Sequence, residues 1–254
     1  MDITNKNYGF TLIELSIVLV IISLIVGGVV GGKSLIKSAQ RQQIVANIYK
    51  YASAINAYQL QYAFFPGDHR DAQDYFGATA CPDYAGTNTC NGTGDGFTKR
   101  YTGTGEADTY ESARVWQHLS LAELIEGQYP GDGGGNFGVD DNGAPSIGGL
   151  QPQAGYEFKY FENNRIYRRQ GHYLVVSGNA NYSYGGAALP VLDAIAIDKK
   201  ADDGKPTYGK WVAVDYDNDA DCITGGSDYS DPDGIVWVYT GEGLVCNIGY
   251  HYSR

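Results

Sequence analysis

The sequence predicts an α+β protein in which one long N-terminal helix packs on a small antiparallel β-sheet, with extra loops and short helices. Three observations support this class. An uncharged, apolar run extends from Leu15 to Gly32. Behind it, apolar side chains recur every three or four residues as far as position 62. Farther along, short segments rich in β-branched and aromatic residues alternate with turns rich in Gly, Asn and Asp.

The first half of the N-terminal helix is long enough to cross a membrane. From Phe10 to Gly32 it would measure about 34 Å, at ~1.5 Å per residue, against a hydrocarbon core of ~30 Å. Glu14 lies at the start of this apolar segment. A carboxylate within a membrane span costs about 2.5 kcal/mol or more, so we expect Glu14 to have a function.

The second half of the helix, residues 33–63, is amphipathic. Its apolar stripe contains Ile44, Ile48, Tyr51, Ile55, Tyr58 and Tyr62. The opposite face is polar and includes Gln59. Pro66 and Gly67 predict the end of the helix. We therefore expect this half to lie against a globular segment.

The remaining chain is predicted to form short elements. The helices are Tyr110–Glu126 and Ala187–Lys200, and the strands are Tyr156–Phe161, Tyr173–Ser177, Trp211–Tyr216 and Ile235–Tyr239. In the second of these helices the side chains expected in the core are those of Leu189, Leu192, Ile195 and Ala196.

Composition and charge limit the possible functions. The net charge is −11, and Glu14 is the only acid between residues 10 and 63, so the acidic excess lies in residues 64–254. Such a segment is not expected to bind nucleic acid by general electrostatic attraction. There is no nucleophile elbow, phosphate-binding loop or histidine spacing typical of a metal site, so we expect no enzymatic activity.

Four cysteines indicate disulfide bonds in an oxidising compartment. Three pairings are possible; Cys81–Cys90 and Cys222–Cys246 are favoured because each closes a local loop. The absence of a C-x-x-C spacing argues against a zinc site.

The heptapeptide Gly9-Phe10-Thr11-Leu12-Ile13-Glu14-Leu15, directly before a membrane-length apolar run, resembles the class III signal of type IV pilins and of the pseudopilins of type II secretion systems. The resemblance implies that a prepilin peptidase cleaves between Gly9 and Phe10 and that the new N-terminus is methylated. It also implies that Glu14 accepts the amine of a neighbouring Phe10 during assembly.

This resemblance implies how the chain is divided into segments and how the subunit assembles. Residues 1–9 would be a leader, 10–32 the membrane-spanning and filament-core half of the helix, 33–63 its amphipathic half, and 64–254 a globular head. The subunit would wait in the inner membrane, engage an assembly platform there, and polymerise into a homo-oligomeric helical filament. A cell-surface pilus, a periplasmic pseudopilus and a minor adhesin at a pilus tip all fit this description.

Two further segments resemble a subset of large bacterial pilin-like proteins. One is the junction Phe65-Pro66-Gly67-Asp68, followed by Asp71-Ala72 and Tyr75-Phe76-Gly77. The other is the acidic turn from Ile197 to Pro206. No role is implied for either segment.

The sharpest acidic cluster is Asp215, Asp217, Asp219 and Asp221. Alternating carboxylates in a loop suit Ca²⁺, with backbone carbonyls completing six to eight oxygen ligands. The loop departs from an EF-hand, because Ala220 replaces the turn glycine and Gly226 the bidentate glutamate. A solvated acidic turn is the alternative interpretation. Asn91–Gly96 and Ser227–Gly234 are weaker candidates that are better explained as turns.

Overall fold

The computed structural model describes residues 9–79, 81, 90–99, 111–131, 144–147, 154–161, 170–178, 188–214, 223–224, 235–237 and 245–252. The chain divides into two compact units, Met1–Gln43 and Ile44–Arg254. The helices are α1 (Leu12–Tyr62), α2 (Ala72–Phe76), α3 (Glu111–Leu121) and α4 (Val191–Ala201). The strands are β1 (Ser146–Ile147), β2 (Ala154–Phe161), β3 (Gly171–Gly178), β4 (Leu189–Pro190), β5 (Trp211–Val214), β6 (Ile223–Thr224), β7 (Val236–Trp237) and β8 (Val245–Tyr252).

Helix α1 is one continuous helix of 51 residues, as the apolar periodicity predicts. Five members of the predicted stripe are buried and Tyr62 is half-buried. The prediction that Gln59 lies on the polar face is wrong. Its side chain is buried, and its Oε1 accepts a hydrogen bond from the Tyr252 hydroxyl at 2.9 Å. Strand β8 therefore covers more of the helix than the apolar stripe alone indicates.

The sheet is antiparallel throughout its described pairs, which confirms the predicted class. Its strand order is β1-β2-β3-β8-β4, and β5 also pairs with β8. The registers include Tyr156 opposite Val176 and Trp211 opposite Tyr250. Strands β6 and β7 form a separate two-stranded sheet. Strand β8, which the sequence did not predict, thus pairs with three other strands.

The main core of the second unit lies between α1, α3 and the sheet. The ring of Tyr51 packs edge-on against Trp116 and Tyr156, with both pairs of ring centroids 5.0 Å apart. Trp116, Tyr156 and Trp211 are among the largest fully buried side chains. The aromatic residues of this core thus join the helix to the sheet through edge-to-face contacts, which are worth about 0.5–1.5 kcal/mol per pair beyond the buried area.

Two of the observed helices, α3 and α4, begin or end at residues other than those predicted. Helix α3 ends at Leu121, before the predicted Glu126. The other begins at Val191, because Leu189 and Pro190 pair with β8 as a short strand. Leu192, expected in the core, is 62% exposed, and the buried face of α4 includes Val191 and Asp198 instead.

Candidate functional site

Thr11 and Glu14 form a reciprocal cap at the start of α1. The Glu14 Oε2 atom accepts hydrogen bonds from the Thr11 amide at 2.8 Å and from the Thr11 hydroxyl at 2.7 Å. The Glu14 amide donates to the Thr11 Oγ1 at 3.3 Å. This is a capping box, which satisfies helix amides that have no partner within the helix. Glu14 is therefore held at the first turn of the helix, four residues beyond Phe10.

The helix segment that follows Glu14 exposes almost only apolar side chains as far as Gly32, with Ser16 and Ser23 as the polar ones. Between residues 10 and 36, every large apolar side chain is 49–88% exposed in the isolated chain. By length and composition this part of α1 is able to cross a membrane. So large an apolar surface requires cover, either from lipid or from other protein.

Asp68 organises the loop that follows the end of α1. Its carboxylate is buried and accepts four hydrogen bonds. The donors are the amides of Gly94, Asp95 and Gly96, at 2.7, 3.0 and 2.8 Å, and the hydroxyl of Thr93 at 3.1 Å. One side chain thus supplies the acceptors that this turn would otherwise lack. The segment Asn91–Gly96 is an irregular loop that bends at Asp95 and Gly96.

Glu111, the first residue of α3, also binds backbone amides of this loop. It accepts hydrogen bonds from the amides of Thr93 and Lys99 at 2.8 and 2.9 Å. Burial, opposed by these hydrogen bonds, raises the pKa of its carboxyl to about 7. Asp68, Asp95 and Glu111 bring carboxylate oxygens within 4.8 Å of one another. Because the two buried carboxylates already accept backbone amides, we interpret this group as a clamp for the loop.

Two histidines beside this loop, His69 and His118, are buried, although no sequence pattern distinguishes them. The Gly67 amide donates to Nδ1 of His118 at 2.9 Å, so Nε2 carries the proton and donates to the Cys90 carbonyl at 2.9 Å. The Tyr58 hydroxyl lies 2.7 Å from Nδ1 of His69. Burial lowers the pKa of His118 to about 3, so it stays neutral and structural.

A disulfide joins Cys81 to Cys90, with their Cα atoms 5.2 Å apart. Both cysteines are buried, and they pack with Ala72 in a small cluster. Cys246 is also disulfide-bonded. Cys222 lies outside the described residues.

Replacing both Cys81 and Cys90 with serine should lower the free energy of unfolding by about 2–3 kcal/mol, because the bridge restricts a short loop of the unfolded chain. Thermal unfolding of the detergent-solubilised chain would measure the loss, and reduction of the wild type, which also breaks the bridge at Cys246, should cost at least as much. Unchanged stability in the double variant would show that the bridge does not hold this loop.

The four aspartates predicted to bind calcium, Asp215, Asp217, Asp219 and Asp221, all lie outside the described residues. The residues predicted to act in processing and assembly, Gly9, Phe10 and Glu14, do lie within the described part of the chain. Gly9 and Phe10 directly precede the capping box that holds Glu14. The sequence reasoning missed the loop clamp formed by Asp68 and Glu111. The Pro66-Gly67-Asp68 motif was the one sequence signal at its position.

Residues 4–30 match the family described as the prokaryotic N-terminal methylation motif. This prepilin-type motif, the long apolar helix and the antiparallel sheet together give the chain a pilin-like α+β layout. The chain is also similar to the type II secretion system core protein G of Escherichia coli K12. The two are 27% identical over 146 residues, which cover 56% of this chain and 92% of that protein. Comparison with solved structures gave no match.

Proposed function

We propose that this chain is a structural subunit of a type IV pilus-like filament, cleaved by a prepilin peptidase and polymerised through its N-terminal helix. The observation that carries this function is the methylation motif at residues 4–30, whose helical part exposes an almost entirely apolar surface. Lipid covers that surface before assembly, and the helices of neighbouring subunits cover it afterwards. No catalytic role is part of the proposal.

The position of Glu14 suggests how the register of the filament is set. Cleavage after Gly9 creates a positively charged amine at Phe10, in an environment that excludes water. A buried ion that loses its partner costs about 3–5 kcal/mol, so the amine requires an anion close by. Glu14 of a neighbouring subunit supplies that anion, and only one axial offset between helices satisfies both charges.

The processing step has a direct test. Mass spectrometry of the N-terminal peptide from membranes or filaments should find a mature chain that begins at Phe10 with an N-methyl group. Replacing Gly9 with alanine should be tolerated better than a large residue, because the protease must fit the backbone at this position. An intact Met1, or a cut after Gly32, would contradict the proposed function.

The location of the filament, at the cell surface or in the periplasm, distinguishes a pilus subunit from a pseudopilus subunit. Similarity to a secretion-system core protein favours a periplasmic pseudopilus as the second candidate. Electron microscopy of material sheared from cells, with mass spectrometry of its main component, distinguishes the two. Long surface filaments built from this chain support a pilus, and their absence supports a pseudopilus. Labelling at filament tips alone would support a minor adhesin.

Calcium binding by Asp215, Asp217, Asp219 and Asp221 is a further part of the proposal. It is supported by the alternation of four carboxylates in one loop, which suits a hard cation with oxygen ligands. At extracellular calcium concentrations a Kd of about 10⁻⁴–10⁻³ M would be sufficient.

A further inference from the structure

Helix α1 carries positive charges but no acidic residue beyond Glu14. Between residues 15 and 67 the chain has no aspartate and no glutamate, whereas its basic residues there are Lys33, Lys37, Arg41 and Lys50. The first of these lysines directly follows the apolar segment. The helix cannot neutralise this charge within its own length, so an anion that binds here must come from outside α1.

Lys33 and Lys37 lie on one face of α1. Residues four apart differ by about 40° around a helix and by about 6 Å along its axis. Both side chains are exposed, and none of the ion pairs among the described residues involves either lysine. Like charges at this spacing repel each other and destabilise a helix. The two lysines therefore present a compact positive surface to an external anion.

Apolar side chains accompany the two lysines on another side of the helix. Leu35 is 73% exposed and Ile36 is 60% exposed. At about 100° per residue, Leu35 projects from the side of α1 opposite to Lys33 and Lys37. A lysine can lay its aliphatic stem along apolar surface while its ammonium group stays in water. Residues 33–37 thus suit the boundary between hydrocarbon and polar headgroups.

The distance from the apolar segment places both lysines at the headgroup level of a bilayer. The segment from Phe10 to Gly32 measures about 34 Å and fills a hydrocarbon core of ~30 Å, beyond which each headgroup layer adds about 5–8 Å. Lys33 and Lys37 follow Gly32 by about 1.5 and 7.5 Å along the helix. Lys50 follows it by about 27 Å, which exceeds three Debye lengths of ~8 Å at physiological ionic strength.

We propose that Lys33 and Lys37 bind the phosphate groups of anionic phospholipids at the end of the membrane-spanning segment. The inference rests on the membrane insertion of α1, which is part of the proposed function. Ammonium groups form charge-assisted hydrogen bonds with phosphate oxygens, and each positive charge near an anionic surface strengthens binding about fivefold. The bound lipid fixes the depth of α1 in the bilayer, and a subunit that leaves for a filament must release it.

The test measures which lipids the full-length chain retains. The chain is reconstituted into lipid nanodiscs with equal amounts of phosphatidylglycerol, which is anionic, and phosphatidylcholine, which is zwitterionic. After mild extraction with detergent, the lipids that stay bound are quantified by mass spectrometry. The wild type should retain an excess of phosphatidylglycerol, and higher salt should reduce this excess by screening. The double variant Lys33→Gln, Lys37→Gln should lose it, by about fivefold for each charge removed.

Two control variants separate the position of the charge from the charge itself. Lys50→Gln removes one positive charge from the same helix far from the headgroups, so the preference for phosphatidylglycerol should persist. The double variant Lys33→Arg, Lys37→Arg keeps both charges and should also retain the preference. Glutamine and arginine have helix propensities close to that of lysine, so α1 should stay helical in all three variants.

Equal retention of the two lipids by the wild type would overturn the proposal, and so would a loss in Lys50→Gln as large as in the double glutamine variant. An unchanged lipid preference in the double glutamine variant, with chemical cross-links from Lys33 or Lys37 to acids of a second copy, would assign the lysines to contacts between subunits. A chain that inserts into nanodiscs without lipid preference contradicts this inference alone. A chain that does not insert contradicts the proposed membrane stage as well.

Discussion

Glu14→Leu should abolish filaments while leaving the chain in the membrane and cleaved after Gly9. Leucine makes the apolar segment easier to insert, because it removes a carboxylate from the span. It also leaves the Phe10 amine of the next subunit without an anion in a buried position, which costs about 3–5 kcal/mol per subunit contact. Summed along a polymer, such a loss is sufficient to prevent growth. Shearing and electron microscopy measure assembly, and N-terminal mass spectrometry measures cleavage.

Glu14→Gln separates the charge of Glu14 from its role in the capping box. Glutamine can still accept the hydrogen bonds that Oε2 receives from Thr11, so the start of α1 is kept. It cannot neutralise an amine. We therefore expect Glu14→Gln to fail in assembly nearly as completely as Glu14→Leu. Normal filaments from the glutamine variant would show that the cap, and not the charge, is what assembly requires.

The long helix could be predicted because its signals are local. Residues 12–62 carry an uninterrupted apolar run and then a stripe with a period of 3.6 residues, and each of these acts within a few turns. The strands β2 and β3 were found for the same reason, since β-branched and aromatic residues are dense in both. Local patterns of this kind determine the class of the fold.

Strand β8 and the loop clamp could not be predicted, because both depend on distant residues. The sequence of β8 contains Cys246, Asn247 and Gly249, which dilute the usual strand signal, and its burial comes from three partner strands. Asp68 binds amides 26–28 residues away, so no local spacing indicates its role.

Gly67→Ala should produce the largest loss of stability among single substitutions near the end of α1. Gly67 has a φ of +88°, a conformation that costs other residues about 1–2 kcal/mol. A Cβ atom there would lie 2.2 Å from the Glu111 carbonyl oxygen and 3.0 Å from Cγ2 of Val115. Relief of that overlap must move α3 away from the junction, at a cost of about 1–3 kcal/mol. We expect a total loss of about 3–5 kcal/mol.

Gly77→Ala is the matched control, because it isolates the backbone strain from the steric overlap. Gly77 has a similar φ of +81°, but a Cβ atom there would meet nothing within 4 Å. With ψ at +147° Gly77 lies outside the left-handed helical region, so this variant should lose only a conformational contribution of about 1–3 kcal/mol. At ~2–4 °C per kcal/mol, the melting temperature of Gly67→Ala should lie well below that of Gly77→Ala. Equal melting temperatures would show that α3 does not press on the junction, and that Glu111 and Asp68 hold the loop without this close approach.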